Sequence, residues 1–229
     1  LAEEAQGNFR LAKVNVDENQ SLALRYAVRS IPAVKAFRNG QMIAEFIGVQ
    51  PEPKLREFIH SIAPSDSDLL IEKGNSLLSM FEARQAEETF RQALETTPGN
   101  LGSLLGLSKS LLQQGLGQES LHILSEFPPS REYSSAQNLL PLAQALAAYE
   151  NISPEMEDEP LDAAFKNALR LVKRGNIEAA MDGLLDILRE DKRYRDGKAR
   201  LVMLGLLETL GSESVVAQEY RKELATVLF

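Results

Sequence analysis

Between residues 70 and 98, small and large side chains recur at intervals that suit a pair of antiparallel helices and do not suit a sheet. Gly74 and Leu77 fall on one helix, Ala86, Phe90 and Ala93 share a face of a second, and Pro98 stops it. Small residues at 74 and 86 let the two helices approach closely, while Phe90 fills the space between them. Shifting by about 34 residues gives a weaker second copy. Leu104, Leu107, Ser108 and Leu111 lie on its first helix, and Ser120, Leu124 and Phe127 lie on its second before Pro128-Pro129. A long helical stretch from Tyr133 to Tyr149 follows, then an acidic, proline-marked loop from Ile152 to Pro160. A third pair places Ala168, Leu171, Ala180, Leu184 and Ile187 at the same offsets and turns at Gly175-Asn176. A last pair is expected over Asp196 to Leu210 and Glu213 to Phe229, with Gly211 between. Stacked pairs bury a continuous core that no single pair could bury, and they leave a concave face for partners.

Residues 1–63 read as alternating α and β. Phe9 to Val16 is expected to form a short strand that stops at the Asp17-Glu18-Asn19 turn. Ser21 to Val28 has helical spacing. Ala33 to Phe37 and Met42 to Ile47 flank Asn39-Gly40, a strong hairpin signal. Pro51 and Pro53 stand where a helix begins, followed by an apolar face of Leu55, Phe58, Ile59 and Ile62. Pro64 to Ser67 supplies a linker with capping side chains. The expected division is therefore 1–63, 64–150 and 151–229.

Chemistry is sparse. The chain has no cysteine, which excludes disulfides and thiol chemistry within these residues. Its formal charge of -8 opposes non-specific binding to nucleic acid or anionic membranes. Nothing spans a bilayer, as no run of about 18 apolar residues occurs. His60 and His122 lack further ligands or an orienting group, and Glu155, Glu157, Asp158 and Glu159 lack calcium-loop spacing. Gly115-Leu116-Gly117 reads as a helix-to-helix turn rather than a phosphate loop. Neither a metal, a cofactor nor a catalytic set is expected. The terminal stripe of Val216, Tyr220, Leu224, Val227, Leu228 and Phe229 allows two readings: packing on the preceding pair, or reception by a partner.

The offsets of Gly74, Leu77, Ala86, Phe90, Ala93 and Pro98 resemble positions 8, 11, 20, 24, 27 and 32 of a tetratricopeptide repeat. The run Val28-Arg29-Ser30-Ile31-Pro32-Ala33-Val34, with Phe37, Asn39-Gly40, Gly48 and Val14-Asn15-Val16-Asp17, resembles the later part of thioredoxins. That resemblance implies a cis Ile31-Pro32 peptide beside which a bound peptide pairs. It also implies an α+β chain: the C-terminal part of a thioredoxin-like α/β domain, then an all-α tetratricopeptide-like domain. The thioredoxin half with the Cys-x-x-Cys motif would precede Leu1, so truncation is expected. The order of parts, with Tyr220-Arg221-Lys222-Glu223-Leu224 near the end, is similar to the YbbN/CnoX family of bacterial chaperedoxins. The family implies a cytoplasmic co-chaperone that holds unfolding client proteins and passes them to the GroEL chaperonin or DnaK; without cysteine, no redox enzyme activity is expected of these residues. Ile31 and Pro32 would meet clients, and Tyr220, Leu224, Val227, Leu228 and Phe229 would dock the chaperonin. The alternative is a thiol-disulfide oxidoreductase whose cysteines lie outside this chain.

Overall fold

The structure is a computed structural model that describes residues 1, 9–38, 40–150 and 159–228, with Glu150 described by its backbone alone. The chain divides into two compact units, Leu1–Ser65 and Asp66–Phe229. The architecture is α+β, with a small sheet in the first unit and helices throughout the second.

In the first unit, α1 (Gln20–Arg25) precedes β1 (Ala33–Arg38), β2 (Gln41–Ile47) and α2 (Glu52–Ile62). The strands pair antiparallel from Ala33 opposite Ile47 to Arg38 opposite Gln41, with an irregularity at Ala36/Phe37. Asn39 lies outside the described residues; Gly40 has φ +75°, which suits a hairpin turn. The Phe46 and Phe58 rings meet edge to face at 4.9 Å and fasten α2 to β2. Tyr26, just past α1, meets Phe37 at 5.0 Å. Arg38 donates to the Ile62 carbonyl at 2.7 Å and so satisfies the end of α2.

The strand expected over Phe9 to Val16 is not formed. β1 and β2 pair only with each other, so no described strand offers this segment a ladder. The turn after it does form. Asn15 anchors it, accepting from the Asp17 N–H at 3.1 Å and taking a bond from the Asn19 side chain on its own carbonyl at 2.9 Å.

The second unit is a succession of helices: α3 (Asp66–Ser79), α4 (Ala83–Thr96), α5 (Leu101–Gln113), α6 (Gly117–Ser125), α7 (Tyr133–Glu150), α8 (Pro160–Lys173), α9 (Ile177–Glu190), α10 (Tyr194–Leu210) and α11 (Val215–Leu228). Neighbours pack in pairs, and α3, α5 and α7 also touch in sequence. The repeat residues behave as their spacing demands: Ala86, Phe90 and Ala93 are fully buried, and Gly74 is buried in α3. Leu77 packs at the edge of the same cluster. Pro98 lies just past α4.

A Cβ on Gly74 would lie 2.6 Å from the Phe90 ring, and one on Gly106 of α5 would lie 2.2 Å from it. Phe90 is therefore held between α3 and α5 with a glycine on each side. Gly106 carries no mark in the spacing pattern, because the expected small residue of the second copy is Ser108, two residues on.

α10 departs from simple stacking. It packs against α9 and also returns across α3, α5 and α7, the first helices of the array. The concave face expected to await partners thus receives a helix of the chain itself. Gly205 permits this approach, since a Cβ there would lie 2.7 Å from Leu142 of α7. Val202, Met203, Leu206 and Leu207 are buried at the contact. Lys109 of α5 pairs with Glu208 at 3.0 Å, and Gln113 reaches Thr209. At its start the chain kinks through Arg195, Asp196 and Gly197, all at positive φ. Asp162 ties this kink to α8 by accepting from the Tyr194 hydroxyl at 2.6 Å and pairing with Arg195. The Tyr194 hydrogen bond, then Arg195, holds the Asp162 carboxyl below the usual carboxylate range.

Gly106→Ala should cost about 1–3 kcal/mol by overpacking against Phe90. Phe90→Ala should cost about 3–5 kcal/mol. The two sites touch, so a Gly106→Ala, Phe90→Ala double variant should be more stable than the sum of the single changes predicts. Thermal or urea unfolding of the four proteins measures this, and strict additivity would contradict the slot.

Candidate partner-binding sites

Val28 to Ile31 leads into β1 through an extended segment, and the Ile31-Pro32 peptide is cis. The Pro32 carbonyl accepts from the Gly48 N–H at 2.8 Å, which closes the hairpin. Among the described residues, the backbones of Arg29, Ser30 and Ile31 make no hydrogen bond. The free edge of β1 continues this unpaired stretch. Beside it, Val16, Ala23, Leu24, Val28 and Ile31 line a cleft of about 420 Å³ together with Gln20, Arg29 and Ser30. Ile31 is 70% exposed and Leu24 82%, and Val49 beyond the hairpin is 86% exposed. Chemically, this arrangement offers apolar contact plus unpaired strand backbone, which together suit an extended peptide.

The terminal helix is arranged differently. Leu224 is buried, and Val216, Tyr220, Val227 and Leu228 are half-buried against the core of their own unit. Through Leu228 the stripe packs on its own unit. The Tyr220 hydroxyl donates to Asp182 on α9 at 2.7 Å, and Lys192 donates to the Leu228 carbonyl at 3.2 Å. Arg189 of α9 pairs with Glu223. Phe229 lies outside the described residues.

Burial, and then the adjacent Asp182 carboxylate, pushes the Tyr220 phenol above its ordinary value of 10.0. No group of three or more His, Asp or Glu side chains that could hold a metal occurs among the described residues. His60 on α2 and His122 on α6 are both exposed and lie in different units. Glu155, Glu157 and Asp158 lie outside the described residues, and Glu159 precedes the first turn of α8. Among the described residues, no helix is long and apolar enough to cross a membrane.

A phenol raised in the folded state stabilises fully below the unfolded value, and that contribution fades as pH rises through the folded one. Alkaline titration beyond pH 10 should therefore loosen α11, and Tyr220→Phe should remove this pH dependence. At neutral pH the same change should cost about 0.5–1.5 kcal/mol. Amide hydrogen exchange along α11 reads both effects; identical alkaline profiles for the two proteins would refute them.

The family model described as "Thioredoxin" matches residues 1–61, and that described as "Tetratricopeptide repeat" matches residues 142–229. An uncharacterized protein of Mycobacterium tuberculosis is 26% identical over 233 residues, covering all of this chain and 71% of the relative. The thioredoxin of Haemophilus influenzae is 40% identical over 60 residues, 26% of this chain and 56% of that protein. A probable thioredoxin-2 of Caenorhabditis elegans is 42% identical over 57 residues, 25% of this chain and 39% of that protein. Matched regions and structure agree on the architecture: a thioredoxin-like part is followed by tetratricopeptide repeats.

Proposed function

We propose that this protein is a co-chaperone of the YbbN/CnoX type, which holds unfolding proteins and delivers them to a GroEL-type chaperonin or to DnaK. The observation that carries the reading is the apolar cleft at Ile31, set beside backbone that has no partner among the described residues. Unfolding chains expose apolar side chains and unpaired strand backbone together, and this surface answers both. Exposed apolar patches on soluble proteins commonly mark interaction sites. Helical repeats are themselves a protein-binding architecture, and the tetratricopeptide match supports a role among other proteins. A thiol-disulfide role is favoured by the likeness to thioredoxins, but it requires cysteines that these 229 residues do not contain.

In this reading, Ile31 and Pro32 contact clients. Tyr220 and Leu224 hold α11 in place, while Val227, Leu228 and Phe229 meet the chaperonin. Deleting 213–229 is a poor test of the second role, since Ala217 and Leu224 belong to the core and their loss would disturb the unit.

Aggregation of a heat-unfolded client, followed by light scattering, should be suppressed by the wild-type chain. A Leu24→Ser, Ile31→Ser, Val49→Ser variant should lose most of that suppression, because each side chain is exposed and its replacement removes apolar contact. Equal suppression by the variant would reject the cleft, and aggregation unaffected by the wild type would reject the holdase reading. For delivery, a Leu228→Ser, Phe229→Ser variant that retains its helicity should no longer be captured by immobilised chaperonin. Undiminished capture would assign docking elsewhere.

A further inference from the structure

Three turns between paired helices meet around a single cavity in the second unit. Phe81 to Arg84 come from the α3–α4 turn, Gln113, Gln114 and Leu116 from the α5–α6 turn, and Lys173 to Gly175 with Ile177 from the α8–α9 turn. The turns come together because Gly115 carries no side chain: a Cβ there would lie 2.6 Å from the Lys173 backbone. The hollow is open on one side and has a volume of about 520 Å³, within the range of small-ligand and peptide-anchor sites.

The lining joins two chemistries. Phe81 and Leu116 are apolar and partly exposed, and Ile177 is buried. Arg84 and Arg174 are exposed, and neither guanidinium makes a hydrogen bond or ion pair among the described residues. Glu82, the lining carboxylate, accepts from Gln85 at 3.1 Å, and the Lys173 ammonium lies 5.9 Å over the Tyr149 ring. A locally cationic rim is unexpected on a chain of formal charge -8. Gln113 also belongs to the lining but is only 2% exposed. Its Nε2 donates to the Leu78 carbonyl at 3.2 Å and reaches Thr209 of α10, so its amide holds helices together rather than facing an occupant.

We infer that this cavity docks an acidic peptide segment of a partner protein. A carboxylate side chain answers Arg84 and Arg174, and a neighbouring apolar side chain answers Phe81 and Leu116. Inorganic phosphate supplies the charge but nothing for the apolar wall. The site lies at the turns of the repeats, and all of its lining belongs to the second unit.

The probe is a fluorescein-labelled hexapeptide of alternating leucine and aspartate, titrated with the full chain and read by anisotropy. It should bind with an affinity that weakens as salt rises. Arg84→Gln with Arg174→Gln should weaken it roughly ten- to hundredfold, since bonds to charged groups are the stronger class. Both arginines are exposed, so an unchanged melting curve is expected and separates this effect from misfolding. The Leu24→Ser, Ile31→Ser, Val49→Ser variant should bind the peptide as the wild type does, whatever becomes of client holding. The inference is overturned by any of four results: no binding at millimolar peptide, equal binding of a leucine-asparagine peptide, full displacement by equimolar inorganic phosphate, or unchanged affinity in the double-arginine variant.

Discussion

The helical unit depends on close approach at glycine. Phe90 is buried only because Gly74 and Gly106 leave room for its ring on either side, so α3, α4 and α5 are fixed by one side chain and two missing ones. The same device brings α10 onto α7, where Gly205 faces Leu142. Dispersion falls off steeply with distance, so a helix pair held even one methyl group further apart would lose much of its contact. The core accordingly forms two clusters that meet at α5, which gives Leu107 and Leu111 to one and Leu112 to the other.

One consequence concerns where partners can bind. An array of helical pairs offers its first helices as a natural receiving face, but here α10 lies across α3, α5 and α7. Lys109–Glu208 and Gln113–Thr209 add polar contacts to that interface. Surfaces left for other proteins are therefore the turns between helices in the second unit and the apolar cleft and open strand edge in the first. The first unit has no fully buried apolar side chain among its described residues, whereas the second is rich in them.

Legibility in the sequence followed the range of the interactions. The hairpin, the helix after Pro51 and Pro53, and the α3–α4 pair are governed by neighbours within a few dozen residues, and their turn and spacing signals located them. Phe9 to Val16 has the composition of a strand but lacks one, because a strand exists only with a partner whose position no local pattern encodes. Gly106 escaped notice for a related reason. Its importance comes from Phe90, on a different helix, and a lone glycine within a helical pattern ordinarily signals a modest loss of stability. Likewise, the two arginines are unremarkable in sequence and acquire meaning only when three turns converge.

By itself, the sequence determined the class of each segment: an alternating α and β part, then helical pairs, with the hairpin at Asn39-Gly40 and the apolar stripe on the last helix in view. These follow from periodicity, turn chemistry and local sterics, which act along the chain. Only the tertiary structure decided what those faces meet. It turned Leu224 and the stripe around it onto the core, laid α10 across the first helices, and left Ile31 exposed. An amphipathic pattern states that a face must leave water and says nothing of which surface will cover it; packing among distant elements makes that choice.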